Sequence, residues 1–214
     1  MQAVMKKRTK NKKEAVDDQD KKIAAILKIP IQENKDSYTL FSDGNGTEIV
    51  FKNKKHLMSG NILYIVDLNR NTELKELVFI DSILNLISLI RSKKYSIKSN
   101  TVFIICNNPQ DIIIKTIKNR FKMIYNYLFA YPKTIQGKIQ TVKTILLLNE
   151  AQDVKVFNQG DSLSIQFNNK LKIINSAISY SRLLRDFNFQ KLHINSINLG
   201  YNVYNLKHIY GYKD

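Results

Sequence analysis

The stretch Asn100-Thr101-Val102-Phe103-Ile104-Ile105-Cys106-Asn107-Asn108-Pro109 decides the fold class. Val102 to Cys106 is apolar without interruption, the pattern of a strand buried on both faces of a parallel sheet. Pro109 then opens a helix, since its missing N–H is no loss in a first turn. Upstream, Asn61-Ile62-Leu63-Tyr64-Ile65-Val66-Asp67 repeats the buried-strand pattern. Between the two, Thr72 is placed to cap a helix, with Glu73 and Glu76 in its first turn near the positive end of the dipole. Leu77, Ile80, Leu84, Ile87 and Ile90 keep near helical period and carry that helix to about Ser92. Strand, helix and strand in about 45 residues predict a right-handed βαβ crossover between parallel strands. The chain reads as an α/β protein of mixed α+β character.

Downstream, the helix from Pro109 is expected to reach about Tyr131, with Ile113, Ile117, Phe121, Ile124 and Leu128 facing inward. Pro132 breaks it, and Thr134 to Glu150 forms another helix with Ile135, Ile139, Val142 and Leu146 on one stripe. From Asp153 the period becomes two, through Val154 and Val156, Leu163 to Phe167, and Leu171 and Ile173. Gln159-Gly160-Asp161 and Asn168-Asn169 supply the turns. A short helix from Tyr180 to Phe187 and strands over 191–199 and 201–209 complete a mainly β subdomain. On the N-terminal side, Lys21 to Ile29 suits a short helix ending before Pro30. Asp36 to Phe41 and Thr47 to Phe51 form a hairpin around Asp43-Gly44-Asn45-Gly46. The expected organisation is a basic flexible arm over 1–35, an α/β half over 36–151 with two basic helices, and a β-rich half over 152–214, the halves forming one continuous domain.

The charge is uneven. Of 214 residues, 34 are Lys or Arg and 18 are Asp or Glu, a net +16. Lys6, Lys7, Arg8, Lys10, Lys12 and Lys13 stand with no acid in the first thirteen residues, giving +6. Residues 91–149 hold eleven basic side chains against Asp111 alone, giving +10, so these two stretches carry the whole excess. Localised charge of one sign repels itself unless a polyanion supplies counter-charge, and phosphates do so with release of condensed counterions. On the helix after Pro109, Lys115, Lys118 and Lys122 fall three and four apart as a ridge about 10 Å long. Arg120, Lys138 and Lys143 extend the basic surface, and Tyr127 and Tyr131 are candidates to stack on unpaired bases. Heavy use of isoleucine, lysine and asparagine fits an AT-rich genome, that of an organelle, a phage or a low-GC bacterium.

Catalytic chemistry finds little support. Cys106, the single cysteine, excludes an internal disulfide and fits a buried inert thiol in a reducing intracellular compartment. His56, His193 and His208 have neither ligand nor triad spacing, and no stretch is apolar enough for a membrane span. Asp67 ends a strand where α/β proteins place functional carboxylates, but Leu68-Asn69-Arg70 follows and no phosphate-cradling Gly-rich loop exists. Asp67, Glu73, Glu76 and Asp81 form the one dense acidic set, and their spacing puts them on different faces.

Phe103-Ile104-Ile105-Cys106-Asn107-Asn108-Pro109-Gln110-Asp111-Ile112-Ile113, followed by Ile117-Lys118-Asn119-Arg120-Phe121, resembles the sensor stretch of clamp-loader-type AAA+ proteins. The resemblance spans about residues 62–121, with Ile62 to Asp67 in place of the acidic strand. It implies a catalytically inactive subunit, without a P-loop, in which Asn107 and Arg120 are the matching positions.

The expected function is therefore non-enzymatic: a nucleic-acid-binding protein, RNA or DNA, inside a larger assembly with other protein subunits. An organellar ribosome and a replication or packaging machine both fit. No cofactor or metal and no membrane partner are expected. The alternatives are a structural or assembly protein binding acidic partners, and a metal-dependent nuclease.

Overall fold

The computed structural model describes residues 21–33, 37–41, 46–51, 56–67, 74–91, 100–121, 126–177, 179–188 and 193–196. They belong to two compact units. One takes the described residues up to Tyr64 and those within Ser82–Ser96; the other takes Ile65–Asp81 and those within Ile97–Gly200. This division interleaves along the chain and does not follow the expected halves at 151/152.

In the first unit, α1 (residues 21–26) leads to β1 (Ile31–Glu33), β2 (Ser37–Phe41), β3 (Thr47–Phe51) and β4 (His56–Ser59). The four strands form an antiparallel meander in the order β1-β2-β3-β4. The expected hairpin is present, with Phe41 opposite Thr47, while its turn residues 42–45 lie outside the described set. A Cβ on Gly46 would stand 2.6 Å from the Asn61 carbonyl oxygen, so only glycine allows that approach. The arm expected over 1–35 is corrected at its C-terminal end. Ala24, Leu27 and Ile29 are buried, Lys21 pairs with Glu33, and the Tyr64 hydroxyl donates to the Lys28 carbonyl at 2.9 Å. Three apolar side chains spaced three and two apart offset the ordering entropy of this segment, while residues 1–20 lie outside the described residues.

The helix α2 (Ile83–Arg91) corrects the one expected from Thr72. Its cap is Ser82, whose hydroxyl accepts from the Asn85 amide at 3.1 Å. Ile83, Leu84, Leu86, Ile87, Ser88 and Leu89 are all buried, so the helix is enclosed nearly all round. The residues before it, Glu76–Ile80, are a strand.

In the second unit the chain forms β6 (Glu76–Ile80), β7 (Thr101–Cys106), α3 (Asp111–Arg120), β8 (Asn126–Phe129), α4 (Ile135–Leu148), β9 (Lys155–Gln159), β10 (Ser162–Phe167), β11 (Lys170–Asn175), α5 (Tyr180–Asp186) and β12 (His193–Ser196). With β5 (Leu63–Asp67), four of these strands make a sheet ordered β12-β8-β6-β7-β5. β12 and β8, β8 and β6, and β6 and β7 all run parallel. The parallel pair joined through a helix is present, but its first strand is β6 rather than β5. Leu77-Val78-Phe79-Ile80 satisfies a buried strand as well as a helix stripe, and sheet pairing on both sides selects the strand. The helix from Pro109 likewise stops at Arg120, and Asn126–Phe129 is a strand where helix was expected to Tyr131. The buried side chains of α3 are Ile114 and Ile117: Ile117 is inward as expected, while Ile114 takes the place expected of Ile113, which is half-buried.

The expected β9–β11 meander is antiparallel, in the order β11-β10-β9. Asn168 and Asn169 both have positive φ in its second two-residue turn, as such hairpins require. Leu163, Ile165, Phe167 and Ile174 are buried; Phe157, Leu171 and Ile173 point out. The α5 helix is capped by Ser179, whose hydroxyl accepts from the Arg182 amide, and it sets Phe187 against Phe167 at 5.0 Å between ring centroids. β12 leaves the expected β-rich half to pair with β8, since a free parallel edge satisfies its backbone groups. The strand expected over 201–209 lies outside the described residues.

Candidate functional site at the carboxyl end of β7

The chain steps from β6 to β7 on one side, then returns past β6 to place β8 on the other. Open parallel sheets bind ligands in the crevice outside the strand carboxyl ends near such a reversal. A cleft of about 340 Å³ lies beside that reversal, at the carboxyl end of β7 rather than between β6 and β8, walled by the residues after β7, by α4 and by the start of β9. Asn107, Asn108 and Pro109 form one wall, Gln136, Ile139, Gln140 and Lys143 of α4 another, and Val154 to Phe157 the third. No lining side chain is acidic.

Local sequence rules position each wall. The Thr134 hydroxyl caps α4 by accepting from the Gly137 amide at 3.1 Å. Gly137 lies so close to the preceding loop that a Cβ would come within 2.1 Å of the Pro132 carbonyl oxygen. Gln140 is buried and donates from Nε2 to the Asn107 carbonyl at 2.6 Å, tying α4 to the strand end. Lys143 Nζ approaches Asn108 Oδ1 at 3.4 Å. Burial lowers the pKa of Lys143, an effect the neighbouring Cys106 opposes, and burial also lowers that of Lys138. The third wall is held where the Gln152 amide donates to Asn168 Oδ1 and the Asn168 amide to the Gln152 carbonyl, at 2.6 and 2.9 Å.

Behind the cleft the strand end is dry. Cys106 is 1% exposed, and its thiol is pushed up to about 11, chiefly by burial, with the Asn108 backbone hydrogen bond and Lys143 opposing. It stays protonated at neutral pH, the state of an inert core thiol. The Tyr131 hydroxyl donates to the Cys106 carbonyl at 3.3 Å and lies 3.5 Å from the Thr144 hydroxyl.

Of the side chains singled out by sequence, Lys143 and Asn107 line the cleft, and Lys138 is on the same helix. The α3 ridge is not a bare cationic row. Lys115 pairs with Asp111 at 2.7 Å, and Lys118 reaches Glu150 at 2.6 Å and the Leu148 carbonyl at 3.1 Å. The Arg120 guanidinium covers the Phe121 ring at 5.1 Å. Lys122 and the arm residues Lys6, Lys7, Arg8, Lys10, Lys12 and Lys13 lie outside the described residues. Tyr127 and Tyr131, 8% and 6% exposed, are corrected as stacking candidates: Tyr127 is buried in β8, and Tyr131, in the loop after it, is buried with its hydroxyl on the Cys106 carbonyl. An aromatic ring that faces out among the described residues is Phe157, at 52%, which the sequence reading did not single out.

Glu73 of the acidic set, like Thr72, lies outside the described residues, and the other three members do not converge. Asp67 ends β5 and is exposed, while Glu76 and Asp81 stand at opposite ends of β6, about 16 Å apart at the rise of a strand. Among the described residues no three His, Cys, Asp or Glu side chains gather as metal ligands, and no helix is long and apolar enough to cross a membrane. The fold and cleft define an α/β protein with a basic, polar carboxyl-end crevice. Comparison with protein-family models, curated proteins and solved structures returns no match.

Proposed function

We propose that this protein binds a nucleic-acid backbone as a non-enzymatic component of a larger assembly. The observation that carries this reading is the location of charge: +10 of the net +16 falls within residues 91–149, and the cleft built partly from that stretch is lined by lysines and carboxamides without an acid. Lys143 and Lys155 supply cations at the cleft, with Lys138 on the same helix as Lys143. Phosphates contacted by lysines release counterions, so affinity falls steeply with salt. The assembly part of the proposal rests on Leu171 and Ile173, 66% and 62% exposed on the outer face of the meander, where protein subunits would cover them.

The test is log affinity against log salt for the wild type and for Lys138→Gln/Lys143→Gln/Lys155→Gln. Gln keeps a flexible polar side chain, with helix propensity preserved at positions 138 and 143, while removing three charges. Weaker binding across all sequences, with a slope smaller by about two to three, is expected. Coincident lines would move the interface elsewhere on the chain. The Lys115→Gln/Lys118→Gln variant is expected to change the slope less, because Asp111 and Glu150 already hold those charges.

A further inference from the structure

We infer that the outer face of the β9–β11 meander seats one amphipathic helix of another protein subunit, apolar where it meets the sheet and acidic along its flanks. The inference rests on the assembly part of the proposed function and adds the partner's chemistry. Strand register sorts the side chains: Leu163, Ile165, Phe167 and Ile174 share one face and are buried. On the other face Phe157 and Ile173 stand opposite Ser164 from either side, and Leu171 stands opposite Gln166 in the next row. Phe157, Ile173 and Leu171 are exposed while Ser164 is buried, so the serine floors a notch walled by Phe157 and Ile173. β9 and β11 lie two strand spacings apart, about 10 Å, the width of one helix. A helix laid along β10 sets its apolar ridge into that notch, as helices cover sheet faces within domains. The three side chains expose on the order of 300 Å², the size of a functional patch and well short of the ~800 Å² a side in a standard stable interface. A second copy suits the face poorly for a further reason. Each chain carries a net +16, and Lys155 on β9 with Lys170 and Lys172 on β11 guard both meander edges against strand pairing. Nucleic acid is also a poor match: two of the three apolar groups are aliphatic, and Lys155 is the one cation the register places on this face. An acidic flank answers both Lys155 and the positive field of the chain.

The experiment uses the full chain and three fluorescent helical peptides of about 18 residues, long enough to hold a helix in water. One carries leucines on one face and glutamates on its flanks, the second has lysines for the glutamates, and the third disperses the leucines of the first around the helix. Binding is read by anisotropy for the wild type, Leu171→Thr and Ile173→Thr, with a mixed-sequence oligonucleotide measured in parallel. Threonine keeps strand propensity, and two separate positions guard against one variant failing to fold. The glutamate-flanked peptide is expected to bind and the other two not, with each substitution weakening it roughly 10-fold and leaving oligonucleotide affinity unchanged. Equal binding of the dispersed peptide, unchanged binding by the folded variants, or no binding of the first peptide overturns the inference. So does an oligonucleotide affinity that falls in the variants, or a wild-type dimer in sedimentation that Ile173→Thr dissociates. Peptide binding as expected, by a protein that holds no oligonucleotide at any salt, overturns backbone binding and leaves the inference standing.

Discussion

Cys106 and Gly137 flank one structural joint and respond differently to change. Removing the Cys106 sulfur leaves a small core void, so Cys106→Ala is expected to cost about 1 kcal/mol at pH 7 by urea unfolding. Its pH dependence has a definite sign. The folded thiol is raised from 9.0 to about 11, so the stabilisation is complete below pH 9 and is lost as pH climbs toward 11. At about 1.4 kcal/mol per unit this approaches 3 kcal/mol, more than the void costs. The mutant should therefore be the less stable form at pH 7 and the more stable near pH 11; parallel curves would refute buried protonation. Alanine at Gly137 would ordinarily gain about 1 kcal/mol in a helix. Here the added carbon meets the Pro132 carbonyl, a backbone group that cannot rotate aside, so Gly137→Ala should lose roughly 1–3 kcal/mol net.

At the scale of elements, helix starts can be tested where hydroxyls cap them. Ser82 and Thr134 each accept an amide hydrogen from the residue three positions on. Ser82→Ala and Thr134→Ala should each cost about 1 kcal/mol in denaturant midpoint, with the corresponding Gly variants losing less. A neutral Ser82→Ala would mean that α2 does not begin where the apolar strand before it ends. The α3–α4 pair is joined differently, by Lys118 at the last carbonyls of α4 and on Glu150. The hydrogen bond from Lys118 and its charge hold the Glu150 carboxyl below its ordinary value. That contribution is present above the unfolded value near 4.5 and fades as pH falls through the lower folded one. The carboxylate is solvent-exposed, so the pair aligns the helices more than it stabilises them.

For the whole molecule, the charge distribution sets the expected behaviour. An excess of sixteen positive charges makes the unliganded chain sensitive to ionic strength, since screening relieves its self-repulsion. Adding salt should therefore raise the thermal midpoint of the free protein while weakening a nucleic-acid complex. Thermal melts from low salt to about the ionic strength of a cell, with and without a single-stranded oligonucleotide, check both halves. A midpoint that falls with salt in the free protein would mean that attractive ion pairs outweigh its self-repulsion.

Much of the architecture was legible from local pattern. Thr101 to Cys106 reads as a strand buried on both faces, and every one of its side chains is buried. The β9–β11 hairpins follow from period two and from residues that tolerate positive φ, because both signals are written within a few neighbours. The α4 helix follows equally from Thr134 after a proline. Leu77 to Ile80 and Tyr127 to Phe129 did not resolve in this way, since a short apolar run suits either helix or strand until pairing partners exist. Those partners come from far along the chain: β6 lies between β7 and β8, and β12 closes on β8. The same long-range pairing turned Tyr127 inward and carried the loop residue Tyr131 against the end of β7. It also brought together Asn107, Gln136, Lys143 and Val156, side chains that no linear spacing relates. By itself the sequence determined the β9–β11 hairpins, the capped start of α4 and where charge accumulates, because each depends on neighbouring residues alone. Tertiary structure decided which apolar runs became strands, which cations were already paired, and where a cleft opened, because each depends on contacts between segments far apart in the chain.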